Sequence, residues 1–339
     1  MKAIKIEKPF DISLIDVAKP ESPKNYEILI KVMATGICGS DVAIYKGLNP
    51  VAKYPRIIGH EVTGIVESIG DKVTKHNIGN HVIVKQTESC GHCWACLHGQ
   101  DNVCTELKVR GVTIDGGYQE YYKVSENSAY TIDKCVDLKT AVLIEPYTIG
   151  FQACSRGQLT KDDFLLVNGA GALGAIVIDV AKSFGCKILA IDISKEKLEQ
   201  AKYLGADYTL DGNDKNICEN ILKITEGYGS TISIDCVCNP KSVEFLVGVT
   251  GNGGRVVTMG FDTRNSSISQ FLITSKQLSI IGSRLQHEQF EKVIKLFESK
   301  SVHPDTMISN VFDFRDIKEA FELVKTGNYK KILLDFSAK

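Results

Sequence analysis

The sequence predicts an α/β protein of two domains, one mostly strand and one a doubly wound parallel sheet. Three observations carry this expectation. The chain has 339 residues, more than one compact core serves well. Residues 1–148 read mostly as strand, with β-branched runs separated by Gly and Pro clusters. From Phe164 onward apolar strands alternate with helical patterns, the mark of βαβ units and a parallel sheet.

Taken in order, strands are expected at 2–6, 26–33, 62–69 and 81–84. Asp115-Gly116-Gly117-Tyr118 reads as a turn into a strand at 119–124. Leu143-Ile144-Glu145-Pro146 ends one helical pattern and opens another, with Pro146 at its first position, where a missing N–H costs nothing. The parallel sheet takes strands at 164–168, 187–192, 207–210, 231–236, 254–259 and 278–282. Helices are expected near 172–184, 195–203, 214–226 and 240–250. After Gly282 the pattern changes again, to helices at 287–299 and 315–326 and a strand at 331–336. No internal repeat or low-complexity tract interrupts this order.

Composition narrows the function. Hydrophobic content of 43% and charged content of 24% are ordinary for a globular protein. A net charge of -1 with no basic run leaves no footprint for nucleic acid. The most apolar stretch, Phe164 to Ala181, is broken by Asn168, glycines and Asp179, so it reads as a buried strand and helix and not a membrane span. Met1-Lys2-Ala3-Ile4-Lys5 alternates like a strand and lacks the apolar core of a signal peptide. Eleven cysteines without a disulfide-protein layout fit a reducing cytoplasm.

Four of those cysteines form the most specific local signal: Cys90, Cys93, Cys96 and Cys104. Cys-x-x-Cys spacing lets a short loop wrap a tetrahedral ion, and four thiolates leave no open position, so this zinc would be structural. The stretch from Cys38-Gly39-Ser40-Asp41 to Gly59-His60-Glu61 offers a different set: thiolate, imidazole and carboxylate. With Glu145 downstream, these suit a zinc that keeps one position for substrate. Adjacent residues on a strand point to opposite faces, so His60 and Glu61 both reach one ion only if the backbone bends there. Cys38, His60 and Glu145 are the first choice of ligands, with Glu61 a ligand or a water-holder. The Ser40 hydroxyl either carries a proton from the bound alcohol or caps the helix that starts there.

A third signal is Gly169-Ala170-Gly171-Ala172-Leu173-Gly174, after an apolar strand and before a helix, with Asp192 ending the next strand. That context makes it a Rossmann dinucleotide fingerprint. The glycines allow the backbone close to a pyrophosphate, and Asp192 would accept from ribose hydroxyls, which favours NAD over NADP. Lys197 and Lys195 weaken that preference slightly.

Together these pieces resemble the zinc-containing medium-chain alcohol dehydrogenase superfamily across the whole chain. The resemblance implies a GroES-like β-barrel catalytic domain at 1–148 and 285–339, with an NAD-binding Rossmann domain at 149–284 between its two parts. It also implies one catalytic and one structural zinc, and a homo-oligomer, dimer or tetramer. Glu145, where classical alcohol dehydrogenases carry Cys, resembles the polyol and threonine dehydrogenase branch. Tyr45 to Pro55, Ile144 to Ile149 and Gly282-Ser283-Arg284-Leu285 resemble the sugar-acid group, which includes L-galactonate and L-gulonate 5-dehydrogenases and a starvation-sensing protein. Many relatives carry His two residues after the Asp of Cys-Gly-Ser-Asp; here that position is Ala43.

The expected activity is oxidation of a secondary alcohol of a sugar acid, with hydride passed to NAD. Arg284 is expected at a substrate carboxylate, a cofactor contact or an interdomain ion pair. The alternatives are a neutral polyol or L-threonine dehydrogenase, and a sensor that binds NAD or a metabolite without turnover.

Overall fold

The structure, a computed structural model, describes residues 1–326 and 329–338. The chain divides into two units: Met1–Glu145 with Phe290–Lys300 and Pro304–Lys339, and Pro146–Gln289 with Ser301–His303.

The first unit is built on a sheet that runs Ala129–Ile132, His81–Val84, Glu61–Ile69, Glu27–Ile37, Lys331–Asp335, Ile308–Asp313, with Tyr121–Ser125 also paired to Glu27–Ile37. A smaller sheet pairs Lys2–Lys8 with Asp11–Asp16 and Arg56–Ile57. Val, Ile, Leu and Phe from both ends of the sequence, among them Ile4, Ile30, Val62, Val84, Phe321 and Leu334, form one core. Burial of so many β-branched side chains is what holds these strands together. Register then places the chemistry. Gly36 lies opposite Glu61, and Ile332 lies opposite Ile37. The last strand therefore sets its first residue, Lys331, beside Cys38.

The second unit is a parallel sheet with strands β1 (Phe164–Asn168), β2 (Lys187–Asp192), β3 (Tyr208–Asp211), β4 (Ser230–Asp235), β5 (Thr250–Thr258) and β6 (Ser279–Gly282). Their order is β3-β2-β1-β4-β5-β6, the doubly wound arrangement expected from the alternating pattern. Order reverses at β1, so the cleft beside its carboxyl end is where such a sheet takes a ligand. Leu166, Leu189, Ile191 and Val256 are buried against the flanking helices. Among the described residues no helix is long and apolar enough to cross a membrane.

Two local expectations are corrected, and two strands of 6 residues have no counterpart among them. The helix expected from Pro146 begins at Ile144, so Pro146 sits inside its first turn, where it is tolerated. The helix expected at 287–299 is Phe290–Glu298, because Leu285 and Glu288 are left-handed at φ 48 and 54 and cannot extend it. Strands Asp11–Asp16 and Ile308–Asp313 carry too little alternation to be read from sequence.

Candidate active site and metal centres

The four cysteines of the loop at 90–104 converge. All four sulfurs lie within 4.8 Å of one another. Cys93 Sγ is 3.5 Å and Cys90 Sγ is 4.0 Å from Cys96 Sγ. Backbone N–H groups aim at them: Cys93 N donates to Cys90 Sγ, and Cys90 N and Glu106 N donate to Cys104 Sγ, each at 3.3 Å. Cys93 is drawn down to about 5 by the N–H groups of Cys96 and Thr105. Cys96 is pushed up to about 12 by burial and by its sulfur neighbours. Cys93 and Cys96 are thus driven in opposite directions, and four sulfurs this close cannot all carry charge without a cation. A dication with four soft sulfur ligands fits that demand.

The second cluster is built on two strands and a helix start. Cys38 follows strand Glu27–Ile37, Glu61 opens strand Glu61–Ile69, and His60 stands just before it. The donor atoms of Cys38, His60 and Glu61 lie within 4.8 Å of one another. Gly59 aims this corner: its φ is +97, and a Cβ there would fall 1.9 Å from the Tyr118 ring. Because His60 precedes the strand, alternation does not force it away from Glu61. Gly36 makes room opposite, since a Cβ on it would lie 2.0 Å from Glu61 Oε2.

The surroundings are buried and anionic. Asp41 is fully buried; it accepts from Cys38 N at 2.9 Å and stands 3.7 Å from His60 Nδ1, close for ions and too long for a hydrogen bond. Burial pushes the Asp41 carboxyl up. Burial alone would depress His60, but Asp41, Cys38 and Glu145 outweigh it and hold the imidazole well above its ordinary value. Glu145, 3% exposed, is pushed up to about 7 chiefly by burial. Glu61 Oε2 and His60 Nδ1 are buried polar atoms with no hydrogen-bond partner among the described residues. Such a group of acids around an imidazole is costly alone and fits a bound cation.

Sequence reading ranked Glu145 ahead of Glu61. The folded chain gathers Glu61 with Cys38 and His60, and Glu145 is not part of that cluster. Ser40 Oγ lies 3.4 Å from His60 Nε2. The capping alternative for Ser40 is not followed, because Cys38 occupies the N-cap of helix Gly39–Tyr45.

In the second unit the fingerprint joins β1 to helix Ala172–Lys182, with Gly171 at its N-cap. A Cβ on Gly174 would fall 1.8 Å from Gly169 O, whereas one on Gly171 would meet nothing within 4 Å. Gly174 is thus demanded by the chain itself, and Gly171 leaves an open cradle for a ligand at the helix N-terminus. Asp192 accepts from Ala170 N at 2.8 Å and Ser194 N at 2.9 Å, which locks its carboxylate. Gly169, Gly171, Asp192 and Lys197 line a cavity of about 500 Å³ with Cys236 and Phe245. Ala172 and Leu173 form the first turn above it. Arg284 follows β6 in the same unit.

Comparison with known proteins agrees with this architecture. The alcohol dehydrogenase GroES-like domain family matches residues 24–134, and the zinc-binding dehydrogenase family matches residues 172–299. The starvation-sensing protein RspB of Escherichia coli K12 is 38% identical over 341 residues, covering 99% of this chain and 100% of that protein. The chain belongs to the zinc-type medium-chain alcohol dehydrogenase family. A crystal structure of rspB from Escherichia coli CFT073, described as a short chain alcohol dehydrogenase complexed with NADH, shares 37% identity with a TM-score of 0.93 and 99% coverage of both chains. Sorbitol dehydrogenase of Halalkalibacterium halodurans is 30% identical over 94% of this chain and 93% of its own length.

Three residues of this dehydrogenase's site escaped the sequence. Lys331 donates to Glu61 Oε1 at 2.5 Å and to Ile37 O at 3.3 Å. Tyr118 OH donates to Gly36 O at 2.8 Å and stands 3.2 Å from Asp41 Oδ2. Asp41 itself was read only as part of a motif. A buried Lys next to a buried Glu was the available signal, but it needs the strand register, which the sequence does not print.

Proposed function

We propose that this dehydrogenase oxidises a secondary alcohol of a sugar acid of L-gulonate or L-galactonate type and passes the hydride to NAD. The observation that supports it most is the contrast between the two clusters. Four thiolates complete a tetrahedral shell, whereas Cys38, His60 and Glu61 supply three donors and leave a position for substrate. Zinc, when bound there, supplies a Lewis acid that eases loss of the alcohol proton. NAD, when bound at Gly169, Gly171, Gly174 and Asp192, supplies the hydride acceptor.

The chain's own residues do the rest. Asp41 and Glu145 surround His60 with negative charge, and Lys331 offsets the charge of Glu61. Ser40, next to His60, takes the substrate proton and hands it to water or a cofactor ribose, since Ala43 offers no imidazole. Asp192 accepts from the ribose hydroxyls and repels a 2′-phosphate. The sugar-acid reading is supported by the resemblance at Tyr45 to Pro55 and by Arg284, whose fork suits a carboxylate. We place the protein in the cytoplasm as a homo-oligomer on the same resemblance.

A neutral polyol is the second reading, favoured by the sorbitol dehydrogenase relative. NADH formation with L-gulonate, L-galactonate, sorbitol and L-threonine side by side separates the two. Strong turnover of one sugar acid, with KM raised at least tenfold by Arg284→Ala, supports the carboxylate reading. Turnover of sorbitol alone removes it. Silence on all four, with zinc and NAD bound, favours the sensor.

A further inference from the structure

The thiolate loop carries a second set of metal-ligand atoms on its surface. Cys90 Sγ, a ring nitrogen of His92 and a carboxylate oxygen of Glu106 lie within 4.8 Å of one another. Cys90 belongs also to the four-sulfur cluster, whereas His92 and Glu106 stand outside it with side chains 73% and 64% exposed. An ion in solution therefore meets these two before it meets the sulfurs.

The geometry readies His92 for a cation. Its Nδ1 lies 3.0 Å from Cys90 O, and a carbonyl oxygen only accepts, so Nδ1 carries a proton and donates it. A ring held in this way by a backbone carbonyl presents its other nitrogen as a ligand. That nitrogen, Nε2, faces Glu106 Oε1 at 3.4 Å, longer than an ordinary N–H···O bond. Nitrogen and oxygen ligands of one tetrahedral zinc stand about 3.4 Å apart, so the gap fits two groups on a shared ion. Glu106 is also tied to the cage by its backbone, whose N–H donates to Cys104 Sγ at 3.3 Å. The two sets share one thiolate, Cys90, so a second dication beside a filled cage would meet the charge of the first. They serve one ion in turn.

We propose that Cys90, His92 and Glu106 form a loading site through which zinc reaches and leaves the four-sulfur cage. The harder nitrogen and oxygen donors catch the hydrated ion, and the softer sulfurs keep it. In the transfer Cys93, Cys96 and Cys104 replace His92 and Glu106 on the ion, and their thiol protons pass to water with no change of oxidation state. The proposal rests on the four-sulfur assignment alone and is independent of the substrate.

The zinc-loaded protein is given excess Cd2+, and the cadmium–thiolate absorbance is followed in time. Four sulfurs on one ion set this signal apart from that of the single thiolate at Cys38. The reverse exchange, cadmium-loaded protein given excess zinc, reads the loss of the same band. His92→Asn keeps a donor toward Cys90 O and removes Nε2. Glu106→Gln keeps the backbone N–H on Cys104 Sγ and removes the charge. Each variant slows both exchanges by about tenfold, whereas Glu106→Asp, which retains a carboxylate, stays within about threefold of the unsubstituted protein. The final cadmium-to-zinc ratio and the thermal midpoint do not change, because a path used in both directions alters rates and not the equilibrium. Unchanged exchange in both variants makes His92 and Glu106 an ion pair only and overturns the proposal. Faster exchange with a lowered midpoint also overturns it and makes the two residues supports of the cage. Absence of a four-sulfur cadmium signal in the unsubstituted protein removes the cage assignment, and the loading site with it.

Discussion

Lys331 donates to Glu61 Oε1 at 2.5 Å in a place where the two side chains are 10% and 0% exposed. The pair joins the last described strand to the strand that carries Glu61 beside Cys38 and His60. One oxygen of Glu61 is thereby held by a lysine, and the other is the unpartnered Oε2 beside Cys38 and His60.

Removing one member leaves a buried charge alone. Lys331→Met in metal-free protein should cost about 3–5 kcal/mol of stability, read by urea unfolding. Lys331→Met combined with Glu61→Gln should recover part of that loss. Equal stability of the single and double variants would show that the two side chains do not act as a pair.

The metal-free cluster should also respond to pH. Glu145 moves from 4.5 to about 7 and His60 rises above 6.5, so the folded chain keeps protons that the unfolded chain has lost. The stability from Glu145 is fully present below 4.5 and is lost as pH climbs toward 7, on the order of 3 kcal/mol. The part from His60 persists below 6.5 and disappears higher still. Unfolding measured from pH 4.5 to 8 should show this decline, and Glu145→Gln should flatten it. Zinc affinity should rise over the same range, with protons released on binding.

The glycine fingerprint separates folding from binding. Gly171→Ala should unfold at the same temperature as the unsubstituted protein yet bind NADH at least tenfold more weakly in a fluorescence titration. Gly174→Ala should lower stability by about 1–3 kcal/mol, since its Cβ would collide with Gly169 O. Unchanged NADH affinity in Gly171→Ala would place the pyrophosphate elsewhere.

The thiolate loop should behave as a separate metal site. Cys104→Ser should lose one of two zinc ions per chain and expose the loop at 90–104 to protease, with NADH affinity unchanged. Retention of both zinc ions would contradict the four-sulfur assignment.

What the sequence disclosed follows from distance along the chain. The cysteine loop and the fingerprint each lie within one short stretch, so spacing alone exposes their chemistry. The parallel sheet was legible because strands and helices alternate from β1 onward, with the central strands β1, β2 and β4 largely buried. The catalytic cluster was half legible. Cys38 and His60 stand out by type, but the approach of Glu61 to both turns on a corner at Gly59 that frees His60 from strand alternation. Lys331 was invisible, because only strand register brings it next to Cys38.

The order in which the strands are made has a consequence for metal loading. The thiolate loop is complete once Cys104 has left the ribosome, so its ion can bind while most of the chain is unmade. The other cluster waits for the partner of Glu61, Lys331, which is translated only after both segments of the nucleotide-binding unit. That unit can fold while the barrel sheet still lacks its inserted strand. The counter-charge for Glu61 is thus the last piece of that cluster to be made, long after the four sulfurs of the thiolate loop are all present.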